Sequence, residues 1–170
     1  MHELSYDEMK KFVIWYLDAK KSIPLKIVDI GSLDVNGTYK PLFDNPLWEY
    51  KGVDIVSGAN VDVITTDPYF YPFEDDTFDV VISGSCMEHV EDIYAFIKEA
   101  ARILKAGGIM CIIVPWIWSE HKHPVDCWRV LPDGMKFLME KIAGLNILQI
   151  HKNTSDCIGV ATKHYPAIVH

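Results

Sequence analysis

Cysteine is sparse and never paired in spacing: Cys86, Cys111, Cys127 and Cys157 stand far apart, with no CxxC among them. This excludes a disulfide framework and a thiolate zinc site, both of which need clustered cysteines. Arginine is scarcer still, with Arg102 and Arg129 the whole complement, and the formal net charge is -8. A nucleic-acid backbone therefore finds no basic stripe, and no such partner is expected. Long apolar runs are missing as well. The longest, Ile109 to Trp118, is broken by Pro115 and is about half of the roughly 20 residues that cross a bilayer. No basic-apolar-small leader opens the chain, so the expectation is a soluble, cytoplasmic protein without a membrane partner. No repeat or flexible linker divides the 170 residues. They fit one domain, 1–170, as a monomer or homodimer.

What is present is an alternation of short β-branched runs with helical spacing. Met9, Phe12, Val13, Tyr16 and Leu17 recur at helical intervals before Pro24, which predicts an N-terminal helix within residues 1–24. Strand-like runs follow at Lys26–Gly31, Tyr50–Ile55, Val61–Asp67, Phe78–Ser85 and Ile109–Pro115. A second helix is predicted where Ile93, Phe96, Ile97, Ala100, Ile103 and Leu104 share a face, with Gly107 and Gly108 as its stop. A third runs from Pro132 to Gly144, and two closing strands, Asn146–His151 and Cys157–Lys163, are too close together for a helix. Alternating strands and helices imply parallel βαβ units, and the closing pair implies an antiparallel hairpin. The predicted fold is α/β: a three-layer, Rossmann-like, seven-stranded sheet, mostly parallel with an antiparallel C-terminal hairpin.

In such sheets ligands bind at the carboxyl ends of the strands. There the chain places Asp29 and Gly31 after the first strand, Asp54 after the second and Asp67 after the third. A strand ending in Asp-Ile-Gly brings backbone N–H groups and a carboxylate to the rim of the sheet, where both can hold a small polar ligand. Asp54 follows Gly31 at a spacing where a carboxylate can accept from both hydroxyls of a ribose. The fingerprint G-x-G-x-x-G is absent, which argues against a nicotinamide-dependent oxidoreductase.

The segments "VDIGS", "GVDI", "TDPYFYPFEDDTFDVVIS", "MEHVED" and "EAARILKAGGIMCIIVP" resemble, in order, the landmarks of class I S-adenosylmethionine-dependent methyltransferases. The likeness is to the type-11, ubiquinone-biosynthesis-like branch, over about Lys26 to Pro115. The resemblance implies S-adenosylmethionine as cofactor and S-adenosylhomocysteine as product. It places Asp29, Gly31 and Ser32 at the amino-acid part, Asp54 with Ile55 at the ribose, and Asp67 at the adenine, with Pro68 or Tyr69 near the ring. Ser83, Gly84 and Ser85 would lie under the methionine end. The chain departs from the family in the first loop, "GSLDVNG", where a second glycine is usual and Ser32 stands.

The acceptor side is expected after the fourth and fifth strands. Glu88 and His89 follow the fourth. After the fifth comes "PWIWSEHKHPVDCWRVLPDGMKFL", a non-periodic stretch whose residues 116–131 are expected to form an active-site lid. Imidazole exchanges protons near neutrality, so His121, His123 and His89 are candidate catalytic groups. Glu88, Trp116, Trp118, Asp126, Trp128 and Arg129 are candidates for binding the acceptor. Arg129 has two possible partners, an anionic group of the acceptor or Asp126, and the tryptophans offer flat faces to an aromatic ring or sugar. The Glu88-His89 pair reads either as structural, bracing the next helix, or as half of a divalent-metal site; Ser85 takes the place of an acid three residues before Glu88 and removes one ligand, so the metal is the minor reading. The resulting expectation is methyl transfer to a small-molecule or glycan acceptor, at oxygen. The alternative is a catalytically silent, S-adenosylmethionine-binding regulatory or partner subunit.

Overall fold

The computed structural model describes residues 2–165. Seven strands form one sheet: β1 (Leu25–Ile30), β2 (Trp48–Asp54), β3 (Val63–Ile64), β4 (Phe78–Gly84), β5 (Leu104–Pro115), β6 (Leu145–Lys152) and β7 (Asp156–Lys163). Their order across the sheet is β3-β2-β1-β4-β5-β7-β6. The pairs up to β4–β5 are parallel, whereas β5–β7 and β7–β6 are antiparallel, as the sequence predicts.

The central strands are buried on both faces, and their side chains alternate between two cores. Ile27, Val80, Ile82, Cys111 and Ile113 point to one side, where they meet Met9, Phe12, Val13 and Leu17. These come from α1 (Glu3–Phe12) and the wider turn that continues it, Val13–Leu17. Val28, Ile30, Val81, Met110, Ile112 and Val114 point to the other side. There they pack on α2 (Ile93–Ile103) and α3 (Pro132–Lys136), the latter continued by a wider turn, Phe137–Ile142.

Two expectations are corrected. The crossovers from β1 to β2, β2 to β3 and β3 to β4 contain no α-helix; the first holds only a 3₁₀ turn, Lys40–Phe43. Asp34, Asn36, Gly37, Pro41 and Pro46 give that crossover turn chemistry rather than helix propensity, and α1 covers the face instead. The second helix also ends earlier than its glycines suggest, at Ile103. Backbone N–H groups of Asp76 and Thr77 donate to the carbonyls of Arg102 and Ile103. The ammonium of Lys163 on β7 donates to those of Ala101 and Leu104 at 2.9 and 2.8 Å. These partners satisfy the free carbonyls of the last turn, so the chain enters β5 at Leu104.

Arg102 also holds the loop before β4. Its guanidinium grips both oxygens of Glu99 (2.8 and 2.6 Å), Asp75 (2.7 Å) and the carbonyl of Phe73 (2.8 Å). Buried Glu99 in turn accepts the N–H of Tyr71 at 2.7 Å. Arg102→Ala leaves that carboxylate unpaired. Denaturant titration is expected to show a loss of about 2–3 kcal/mol, below the roughly 3–5 of a fully buried pair because the guanidinium stays partly hydrated. Arg102→Lys keeps the charge without the fork and should recover only a minor part of the loss.

Candidate functional site

The carboxyl ends of β1, β2 and β4 open on a cavity of about 820 Å³, the size of a small-molecule site. It lies at the switch in strand order between β1, from which the chain steps outward to β2 and β3, and β4, from which it steps the other way to β5, the position where open α/β sheets bind ligands. Asp29, on β1, is buried, and the Tyr50 hydroxyl donates to its Oδ2 at 2.5 Å. Burial pushes its carboxyl up to about 7; the Tyr50 bond opposes the rise and the charge of Asp54 adds to it.

Gly31 follows with φ at +77°, and a Cβ there would come within 2.4 Å of Cys86 Sγ. Only glycine allows this turn to lie so close to the loop after β4. Its N–H groups are not free for a ligand, contrary to the sequence expectation. Those of Gly31 and Ser32 both donate to the Val53 carbonyl at 2.9 and 3.2 Å, and that of Leu33 donates to Asp54 Oδ2 at 3.0 Å. Asp29 and Asp54 line the cavity from this side. Ser32, where a second glycine is usual, donates through Oγ to the Asn60 carbonyl, and Asn60 Nδ2 donates back to the Ser32 carbonyl, both at 3.0 Å. The serine thus ties the loop after β1 to the loop after β2.

Beyond β4 the wall is made by Gly84, Ser85, Cys86 and His89. Glu88 lies beneath it, 1% exposed, and its Oε2 has no hydrogen-bond partner. Burial pushes this carboxyl up to about 7 against the pull of Arg129. The Glu88 carbonyl accepts the N–H of Cys127 at 2.7 Å, which docks the 116–131 loop. Within that loop Arg129 grips both oxygens of Asp126 (2.6 and 2.8 Å), and Asp126 Oδ2 accepts the His121 N–H at 2.8 Å. The Arg129 fork is the main reason the Asp126 carboxyl lies well below the usual carboxylate range. So held, the loop brings His121 and His123 to His89, with ring centroids 4.9 to 6.3 Å apart. Burial, then the neighbouring histidines, lower the pKa of His89, against its bond to the Val125 carbonyl.

Asp29, Gly31, Ser32, Asp54, Ile55, Pro68, Gly84, Ser85, His89, His121 and His123 therefore share one cavity. Other candidates do not line it. Asp67 caps its own turn by accepting the Tyr69 N–H at 2.8 Å, and Ser83 donates to the Ile30 carbonyl at 2.8 Å. Glu88 is too deep to touch an acceptor directly, and Asp126 and Arg129 engage each other. The tryptophans do not build a flat platform: Trp116 donates to the Asn153 carbonyl, Trp118 stacks on His2, and Trp128 donates to the Val90 carbonyl. Sequence reasoning missed Tyr50 and Asn60, which hold Asp29 and Ser32, and the wall residues Thr65 and Tyr71, whereas Tyr69, expected beside the ring, does line the cavity. A signal existed for Tyr50 alone: it lies on β2 two residues before Gly52, the partner of Asp29 in the β1–β2 register.

The methyltransferase-domain family matches residues 29–112. Over 128 residues the chain is 29% identical to 2-methyl-6-phytyl-1,4-hydroquinone methyltransferase 1, chloroplastic, of Oryza sativa subsp. japonica, covering 67% of this chain and 38% of the rice protein. It is 41% identical over 83 residues to demethylmenaquinone methyltransferase of Staphylococcus saprophyticus, covering 47% and 33%. The chain thus spans well under half the length of these relatives. The fold superposes with a TM-score of 0.70, at 13% identity, on a Burkholderia thailandensis 1,6-didemethyltoxoflavin-N1-methyltransferase solved with bound S-adenosylhomocysteine, over 96% of this chain and 80% of that one. From the ordered motifs, the sheet that carries them and the family match, the chain belongs to the class I S-adenosylmethionine-dependent methyltransferases, in their type-11 branch.

Proposed function

We propose that this chain transfers a methyl group from S-adenosylmethionine to a small-molecule acceptor at oxygen. The observation that carries the reading is the single cavity with two unlike ends. Asp29 and Asp54 stand on one side of it and three imidazoles on the other. Paired carboxylates with no arginine among the lining suit a ligand that bears an ammonium, a sulfonium and two ribose hydroxyls. Asp54 uses Oδ2 for the Leu33 N–H and Oδ1 for the Val56 N–H at 3.2 Å, and each carboxylate oxygen can accept a second bond. The site thus fits the cofactor: Asp54 would hold the ribose, Asp29 would attract the charged end, and Pro68 and Tyr69 would flank the ring.

The cofactor, when bound, supplies an activated methyl group. The chain's own contribution is orientation, worth up to roughly 7–11 kcal/mol of the barrier. A base that takes the acceptor's proton adds on the order of 10²- to 10⁴-fold. His123 is our choice for that base: it faces the cavity, whereas His89 and His121 hold backbone carbonyls through Nδ1. The tryptophans are engaged elsewhere, so a stacked sugar has little support, and the similarity to a hydroquinone and a demethylmenaquinone methyltransferase favours an oxygen-bearing ring compound.

Three outcomes test this reading. Asp54→Ala should weaken S-adenosylhomocysteine binding at least about tenfold in calorimetry, the scale of a lost charge-assisted bond, while leaving the circular dichroism spectrum unchanged. Affinity for the cationic cofactor should rise by up to about tenfold between pH 6 and pH 8, because Asp29 attracts a cation only when ionised. Asp29→Asn should flatten that profile. With an acceptor found by screening, His123→Ala should lower kcat by about 10²-fold or more and keep cofactor affinity within a factor of about two; an unchanged kcat removes the base assignment.

A further inference from the structure

Glu88, His89 and His121 are brought together by two separate pieces of chain: the turn after β4 supplies the first two and the 116–131 loop supplies the third. His89 Nδ1 lies 2.7 Å from the Val125 carbonyl and His121 Nδ1 lies 3.0 Å from the Ser119 carbonyl. A carbonyl only accepts, so both Nδ1 atoms carry protons, and in the neutral tautomer this selects, Nε2 is the nitrogen with the free lone pair. Those two Nε2 atoms point at one carboxylate: they stand 3.7 and 3.8 Å from Glu88 Oε1, beyond hydrogen-bond length. Oε2 of the same carboxylate is buried and unpartnered. Among the described residues this is the one place where three metal-ligating side chains converge, their ligand atoms all within 4.8 Å of one another.

With the carboxylate ionised and both rings neutral, two imidazole lone pairs and a carboxylate face one another, an arrangement that a cation satisfies. The imidazoles are oriented as metal-bound histidines are, each ring fixed by a bond from its far nitrogen to a backbone carbonyl. Asp126 reinforces His121, with Oδ2 3.5 Å from the same Nδ1. Ligand atoms around an ion with bonds of about 2.0–2.2 Å stand roughly 3.0–3.5 Å apart, so the two measured separations need to close by only tenths of an ångström.

We propose that Glu88, His89 and His121 form a binding site for a first-row divalent transition-metal ion, the minor reading of the Glu88-His89 pair in the sequence, with His121 as the ligand the sequence did not indicate. Two nitrogens and one carboxylate select Zn²⁺, Co²⁺, Fe²⁺ or Mn²⁺ over Mg²⁺, which prefers oxygen and retains its water. Three protein ligands leave coordination positions open, and His89 and His121 line the cavity, so the ion is reachable from it. On the methyl-transfer reading, those positions would take the oxygens of a hydroxyl or hydroxy-acid acceptor, making the metal a selector for oxygen-bearing substrates. Ion binding itself does not rest on that reading.

The test is titration of the purified full-length chain, stripped with a chelator, with Co²⁺ or Zn²⁺ alone, read by calorimetry and by the visible absorption of Co²⁺. One equivalent should bind, with Mg²⁺ far weaker. Glu88→Gln and His121→Ala should each weaken Co²⁺ about 100-fold or more, since each removes a direct ligand, whereas His164→Ala, at the far end of β7, should leave it unchanged. If Glu88→Gln does not fold, His121→Ala still decides, because its side chain lies in a loop outside the core. No binding by the unmodified chain, or binding that survives His121→Ala, overturns the site. S-adenosylhomocysteine titrated into the same samples separates the two proposals: its binding without Co²⁺ binding removes the metal alone, and the reverse removes the cofactor reading alone.

Discussion

From Ile27 to Ile30 strand β1 has no face open to water, and the rest of the molecule follows from this constraint. Ile27 is held in the core beneath α1, Val28 and Ile30 in the core beneath α2, and β2 and β4 take its hydrogen bonds on either edge. A strand enclosed on four sides can expose polar groups only at its end. The end it offers, Asp29 through Ser32, emerges where its two neighbours lead the chain in opposite directions. The cavity is the gap this divergence leaves, and its acidic side is the set of carboxylates that the strand ends carry into it.

The other side of the cavity has a different origin. No strand end supplies His121 or His123; a loop does, and the loop is ordered by its own ion pair. Arg129 and Asp126 close on each other, Asp126 takes the backbone N–H of His121, and Cys127 hangs from the Glu88 carbonyl. An exposed ion pair contributes little, but here the Asp126 side chain is 2% exposed, where a charge must be paired and hydrogen-bonded. One of the chain's two arginines is therefore used to fix the histidines rather than to bind a substrate. The other, Arg102, does a comparable task at the opposite wall by holding the loop that carries Tyr71.

Much of the site was legible because strand ends are legible. Asp29, Gly31 and Asp54 follow apolar runs at positions where a parallel sheet has to open, and all three reach the cavity. What failed were assignments made from residue type alone. A tryptophan reads as a flat binding face, yet an indole N–H buried near a backbone carbonyl finds more to gain there, as Trp116 and Trp128 do. Glu88 reads as an acid placed after a strand to bind the acceptor; instead it is buried, with the 116–131 loop docked on its backbone carbonyl.

The sequence by itself determined the two-faced burial of the sheet, the order of its elements and the carboxylates at its rim, because these depend on periodicity and on neighbours a few residues away. Only the tertiary structure decided where α2 stops, since the partners of its last carbonyls come from Lys163, some sixty residues later. It also decided that Ser32 acts as a tie between loops rather than as a defective glycine, and that His89 and His121, 32 positions apart in the chain, share one carboxylate. Contacts of that range leave no trace in local spacing. They exist because buried polar groups must find partners wherever the packed chain brings them.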